Sequence, residues 1–150
     1  MLSQLALRGY DANLTLGNTK AVDILLADSR TGEMFKIEVK TSRNRPQRSK
    51  LFGYTFCWTM DQKHETISHS RHFYVFVNID NQDQFRFFIV PSSKVAQYVH
   101  DQHRRWLQAD LTHKDQPMRT FRIGVGEPEE YPMPTALAKT YENVWTFESR

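Results

Sequence analysis

Residues 21–42, AVDILLADSRTGEMFKIEVKTS, hold two apolar runs split by a turn, and each run carries one carboxylate where a core strand has little use for it. Ala21 to Ala27 is apolar apart from Asp23. From Met34 to Lys40, Phe35, Ile37 and Val39 alternate with Lys36, Glu38 and Lys40, the period of a strand with one face in the core. Ser29-Arg30-Thr31-Gly32 reads as the turn between them. If that hairpin closes symmetrically, Asp28 faces Glu33, and the same register sets Asp23 opposite Glu38. Directly opposed residues of an antiparallel pair have Cβ atoms about 4.5–5.5 Å apart.

Two anions held side by side cost free energy unless a cation joins them or one takes up a proton. A magnesium-like ion meets that need, because it takes oxygen ligands and keeps several waters; the backbone carbonyl of Val39 is the candidate third ligand. Lys40 follows Glu38 by two residues, so strand alternation puts its ammonium on the same face. There it can orient or deprotonate a water and offset charge developing on a phosphorane-like transition state.

Asp23, fourteen further residues, then Glu38-Val39-Lys40-Thr41-Ser42 resembles the PD-(D/E)XK nuclease signature, similar in style to small Holliday-junction-resolvase-like bacterial endonuclease domains. The likeness continues upstream through Leu7-Arg8-Gly9-Tyr10 and Gly17-Asn18, and covers roughly the first third of the chain. It implies an α/β (α+β) restriction-endonuclease-like fold, a mixed central β-sheet flanked by helices. It also implies a metal-dependent endonuclease hydrolysing phosphodiester bonds in DNA, with Mg2+ or Mn2+ as cofactor. By the same resemblance Asp23 and Glu38 are metal ligands, Lys40 is the catalytic lysine, Thr41 and Ser42 touch phosphate, and a homodimer is compatible with the family while the sequence leaves the oligomeric state open.

Many members of that family carry a further Glu on the first helix, about three turns before the Gly-Tyr pair. Counting back from Gly9 places that position before Met1, and Ser3 and Gln4 do not replace it. Two expectations follow: a longer natural chain that supplies the residue, favoured because a domain opening in mid-helix is awkward to cap, or a catalytically impaired module that binds nucleic acid or a protein partner without cleavage.

No acidic residue occurs from Val39 to Met60, while Lys40, Arg43, Arg45, Arg48 and Lys50 place five positive charges in eleven positions. Directly after the candidate metal strand, this run, together with Lys20, is expected to track phosphates on a solvated loop held open by Pro46. Phe52, Tyr54, Phe56 and Trp58 then alternate as a strand burying one aromatic face. His64 is an accessory candidate for proton transfer or phosphate contact, although a surface or hydrogen-bonded histidine is the stronger expectation. His100 and His103 lack a third ligand for zinc.

The remaining elements are expected as a helix at Leu2, Leu5 and Ala6 stopped by Gly9, and a strand over residues 10–16. A hairpin follows from His72–Ile79 and Gln84–Val90, then a helix capped by Ser92 or Ser93 with Val95, Tyr98, Val99, Trp106 and Leu107 on one stripe. A short strand at Phe121–Gly124 precedes a proline-rich loop and a last helix over Ala136–Phe147, with Tyr131, Tyr141 and Trp145 as anchors. At 150 residues, 39% hydrophobic and 13% aromatic, the chain suits one domain over 1–150. A net charge of +3 permits nucleic-acid binding without demanding it. No run reaches the roughly 18–20 apolar residues of a membrane span, no signal peptide is recognisable, and the lone Cys57 suits a reducing compartment, so a cytoplasmic location is expected. There is no Gly-rich phosphate loop, Ser-His-Asp order or dinucleotide fingerprint.

Overall fold

The computed structural model describes residues 1–15 and 22–148; Lys20 and the Gly17-Asn18 pair lie outside them. Helix α1 (Leu2–Ala6) ends as the chain turns through Gly9, whose φ of +80° suits a residue without a Cβ, and strand β1 (Tyr10–Leu14) follows. Strands β2 (Ile24–Asp28) and β3 (Met34–Ser42) form the expected hairpin, with Ile24 opposite Ile37 and Ala27 opposite Met34. The symmetric register is therefore the observed one.

Strands β4 (Gln47–Ser49) and β5 (Gly53–Asp61) make a second hairpin, and a 3-10 turn (Gln62–Glu65) leads toward β6 (His72–Ile79). The basic run is thus not wholly loop, because Arg48 pairs with Tyr54 across the β4–β5 ladder. Next come β7 (Phe85–Pro91), helix α2 (Ser92–Ala109), β8 (Met118–Gly124), β9 (Ala136–Leu137) and the short helix α3 (Ala138–Tyr141).

Two mixed sheets result, one ordered β1-β2-β3-β6-β7 and the other β4-β5-β8-β9. In the first, β3 and β6 run parallel, with Glu38 beside Tyr74 and Lys40 beside Phe76. Parallel neighbours need a long crossover. Here β4, β5 and the 3-10 turn supply it, and they double as the core of the second sheet.

Strand β6 is buried on both faces, as an interior strand of a covered sheet must be. Phe73, Val75 and Val77 face a back core with Leu5, Ile24, Leu26, Phe35, Ile37, Trp145 and Phe147. Tyr74 and Phe76 face a front core with Phe56, Trp58, Phe88, Phe121 and the α2 residues Val95, Tyr98 and Val99. Phe76 stacks on Phe121 at 4.4 Å, and Trp58 Nε1 donates to Val77 O at 3.0 Å, tying the two sheets together.

Two expected elements are corrected. Ser92 does not cap α2; its Oγ accepts from His69 N and donates to His69 O, satisfying the segment before β6 instead. The α2 stripe continues from Val99 through Gln102 and His103, while Trp106 and Leu107 are only half-buried. No helix spans Ala136–Phe147. Asn143 adopts φ +55° and donates its N–H to Phe87 O, Glu142 pairs with Arg86, and the extended tail lays Trp145 and Phe147 into the back core. Aromatic burial outweighs helix propensity there. Among the described residues no helix is long and apolar enough to cross a membrane.

Candidate active site

The alternation of β3 sends Phe35, Ile37 and Val39 to the back core and leaves Lys36, Glu38 and Lys40 on the front face. Because β3 lies between β2 and β6, its front face is flanked by strands on both sides. The returning crossover then brings the 3-10 turn over it. Glu38 is consequently only 3% exposed, an unusual place for a carboxylate.

Its two oxygens have different surroundings. Oε1 is 2.6 Å from Lys40 Nζ and 3.7 Å from His64 Nε2. Oε2 is buried with no hydrogen-bond partner. Lys40 is half-buried, and its ammonium is the cation nearest this carboxylate.

His64 is held in place by the 3-10 turn, whose start is capped by Asp61 accepting from Lys63 N at 3.2 Å. At 1% exposure it is not a surface residue; the hydrogen-bonded half of the expectation is what the fold delivers. Nδ1 lies 2.8 Å from the Tyr74 hydroxyl. Burial pushes the His64 pKa below the ordinary histidine value, Glu38 opposes this, and Lys40 and Lys63 add to it. Burial, reinforced by Glu38, drives the Tyr74 phenol far above its ordinary value, so it remains a donor. A carboxylate facing Nε2 favours the tautomer with the proton there, so Tyr74 O–H donates to Nδ1. His72, cross-strand from Lys36 and stacked on Tyr74 at 5.3 Å, is also held below its ordinary pKa by burial, and its Nε2 has no partner.

Asp23 departs from the expected strand position. The β2–β3 ladder stops at Ile24, and Asp23 occupies an exposed bend, its N–H donating to Ile37 O at 2.8 Å. Its Oδ2 accepts from Val39 N at 2.7 Å, so the side chain takes the place of a ladder bond. A strand residue's N–H and C=O leave by the same edge, which turns the Val39 carbonyl toward Asp23 as well. Asp23, Val39, Glu38 and Lys40 are therefore brought to one end of the β2–β3 pair. Among the described residues, no group of three or more His, Cys, Asp or Glu side chains is arranged to hold a metal ion.

The basic residues fan out beyond this point. Thr41 and Arg45 are exposed, Ser42 is half-buried and its Oγ accepts from Asn44 N at 3.2 Å, and Lys50 is exposed. Arg43 is ion-paired with Asp83, and Arg48 lies over the Tyr54 ring at 4.9 Å. Reading the sequence alone misses Tyr74 and His72. The only signal was their alternation within β6, and nothing local said that β6 would lie parallel to β3.

The chain is a mixed α+β domain of two sheets flanked by helices, with a carboxylate–lysine pair inside β3. The solved structure of a bacterial homing endonuclease, I-Ssp6803I, is similar to it with a TM-score of 0.50, covering 96% of this chain and 79% of that one at 12% identity. At that identity the likeness speaks for the fold alone. No family model matches the chain, and no curated protein matches it.

Proposed function

We propose that the protein is a metal-dependent endonuclease of the PD-(D/E)XK type that hydrolyses phosphodiester bonds in DNA. The observation that carries this reading is Glu38, a carboxylate buried to 3% exposure with Oε2 unpartnered and Lys40 Nζ against Oε1. A buried anion with an idle oxygen suits a hard divalent cation, and the oxygen donors of Asp23 and the Val39 carbonyl suit the same ion. Asp23, Glu38 and Val39 would hold Mg2+ or Mn2+, which when bound supplies Lewis acidity at the scissile phosphate.

The chain's own residues do the rest. Lys40 orients the attacking water and balances charge that builds on the phosphate oxygens. His64, itself held by the Tyr74 hydroxyl, faces the Glu38 carboxylate and limits its rotation. Thr41, Ser42, Arg43, Arg45, Arg48 and Lys50 follow the strand away from the site and supply phosphate contacts.

The test is cleavage of supercoiled plasmid by the purified chain with Mg2+ or Mn2+. Glu38→Ala and Lys40→Ala are expected to abolish nicking while circular dichroism stays unchanged. Wild-type activity in either variant would sink the assignment. A second reading, a nuclease fold that binds DNA without cutting, is favoured by the exposed bend of Asp23, whose Oδ2 is already engaged by Val39 N. It predicts salt-dependent binding in EDTA and no nicking with any divalent ion.

A further inference from the structure

The front face of the first sheet is a series of cross-strand rows. Lys40 sits beside Phe76, Glu38 beside Tyr74, and Lys36 beside His72 on one side and Leu25 on the other. The first two rows lie against the front core or under the 3-10 turn. The third opens into a cavity of about 430 Å³ whose lining includes Leu25, Met34, Lys36, His69, Arg71 and His72. Being one strand repeat from Glu38, it stands about 6.6 Å further along the same face.

Its chemistry is mixed in a particular way. Leu25 and Met34 are large apolar side chains left 39% and 56% exposed, and they form its walls. Lys36 and Arg71 bring positive charge, Arg71 sharing its own with Glu33 at 3.2 Å. His72, 3% exposed, closes the inner end; its Nε2 is buried and has no hydrogen-bond partner. Apolar walls with an exposed lysine and an arginine beside them match a flat heteroaromatic group attached to a phosphate.

We propose that this cavity is a nucleobase subsite: it takes one unpaired base of the DNA strand next to the scissile phosphate, with Lys36 on that nucleotide's phosphate. The inference rests on the nuclease reading and adds the substrate's form to it. A base can enter such a cavity only when unstacked from its neighbours, so the preferred substrate has a single-stranded, frayed or flipped nucleotide at the cut.

The probe is an oligothymidylate with one central 2-aminopurine, titrated with the whole chain in EDTA, alone and annealed to its complement. The single strand is expected to bind more tightly than the duplex, with a fluorescence change reporting the altered stacking of the base. Leu25→Trp, which fills the cavity from a partly exposed position, is expected to weaken single-strand binding about tenfold, the scale of one lost base contact, and to erase that fluorescence change. Lys36→Ala, a solvent-exposed change that leaves the walls intact, is expected to weaken binding while keeping the fluorescence change. Wild-type binding and fluorescence in both variants would overturn the subsite, as would equal affinity for strand and duplex, with plasmid cleavage still standing for the nuclease. A wild-type chain that neither binds DNA nor nicks plasmid would overturn the nuclease reading and this one together.

Discussion

Replacing Glu38 by methionine is expected to stabilise the metal-free protein and to remove its response to divalent ions. Glu38 is 3% exposed, and Oε2 has no hydrogen-bond partner. A buried polar atom left unpaired costs about 1–3 kcal/mol. The contact with Lys40, whose side chain is 28% exposed, offsets about 0–1 kcal/mol of that. Methionine keeps the side chain's length without the charge, and Lys40 can turn its ammonium to water. The net gain for Glu38→Met in EDTA is then about 0–3 kcal/mol, or up to about 12 °C in Tm for a chain of this length.

Metal narrows that difference. A cation bound only by the folded wild type, at about ten times its Kd, adds about 1.4 kcal/mol that the variant cannot gain. Urea unfolding followed by tryptophan fluorescence, in EDTA and in Mn2+, measures both quantities. If Glu38→Met were less stable than wild type in EDTA, the carboxylate would be a structural partner of Lys40. If both proteins gained equally from Mn2+, the ion would be binding elsewhere. Either result refutes the reasoning.

Stability should fall as pH drops below about 6.5, the ordinary histidine value, because His64 and His72 are held neutral by burial while the unfolded chain takes up their protons. The contribution is complete above that pH and declines by about 1.4 kcal/mol per unit for each histidine until its folded pKa is reached; a flat unfolding free energy between pH 7.5 and 5.5 in EDTA would contradict it. Asp28 and Asp115, held low chiefly by Arg30 and His103, add a separate loss only below the ordinary carboxylate range. Gly53→Ala is expected to destabilise by about 1–3 kcal/mol, since φ is +75° there and an added Cβ would lie 2.8 Å from Tyr131 Cδ1; an unchanged urea midpoint would show that Tyr131 moves aside freely. Neutralising Arg45 and Lys50 should each reduce the slope of log K against log salt for duplex binding by about 0.9, and an unaltered slope would take them off the phosphate path.

Much of the first half was legible because it rests on local signals. The β2–β3 register follows from a turn and a period-two pattern, and the observed pairing of Ile24 with Ile37 is the one that symmetry gives. Gly9 and the His72–Ile79 strand were equally local. Asp23 slipped out of the ladder because its own carboxylate competes for Val39 N–H, a side-chain bond that no periodicity reveals. The C-terminal segment was misread as a helix for a different reason. Trp145 and Phe147 answer to a cavity left by the back of the first sheet, and that cavity exists only once the sheet has assembled. His64 is the same case on the front: its exposed-looking Lys-His-Glu context is overruled by the place to which the crossover delivers it.

That crossover explains why the candidate site sits where it does. Pairing β3 parallel to β6 obliges the chain to leave the far end of β3 and return to the near end of β6, and the return path crosses the front face of both strands. In this protein the outward leg is the basic run and the return leg is the aromatic strand β5 with its 3-10 turn. The basic run, the aromatic strand of the second sheet and the histidine that covers Glu38 are therefore one continuous segment. The covering leg buries Glu38 while Lys40, two residues further, stays open to solvent in part with its ammonium against Glu38 Oε1. A desolvated carboxylate with one oxygen unpartnered and a half-buried ammonium on the other is thus a consequence of the path that the chain takes between its two parallel strands.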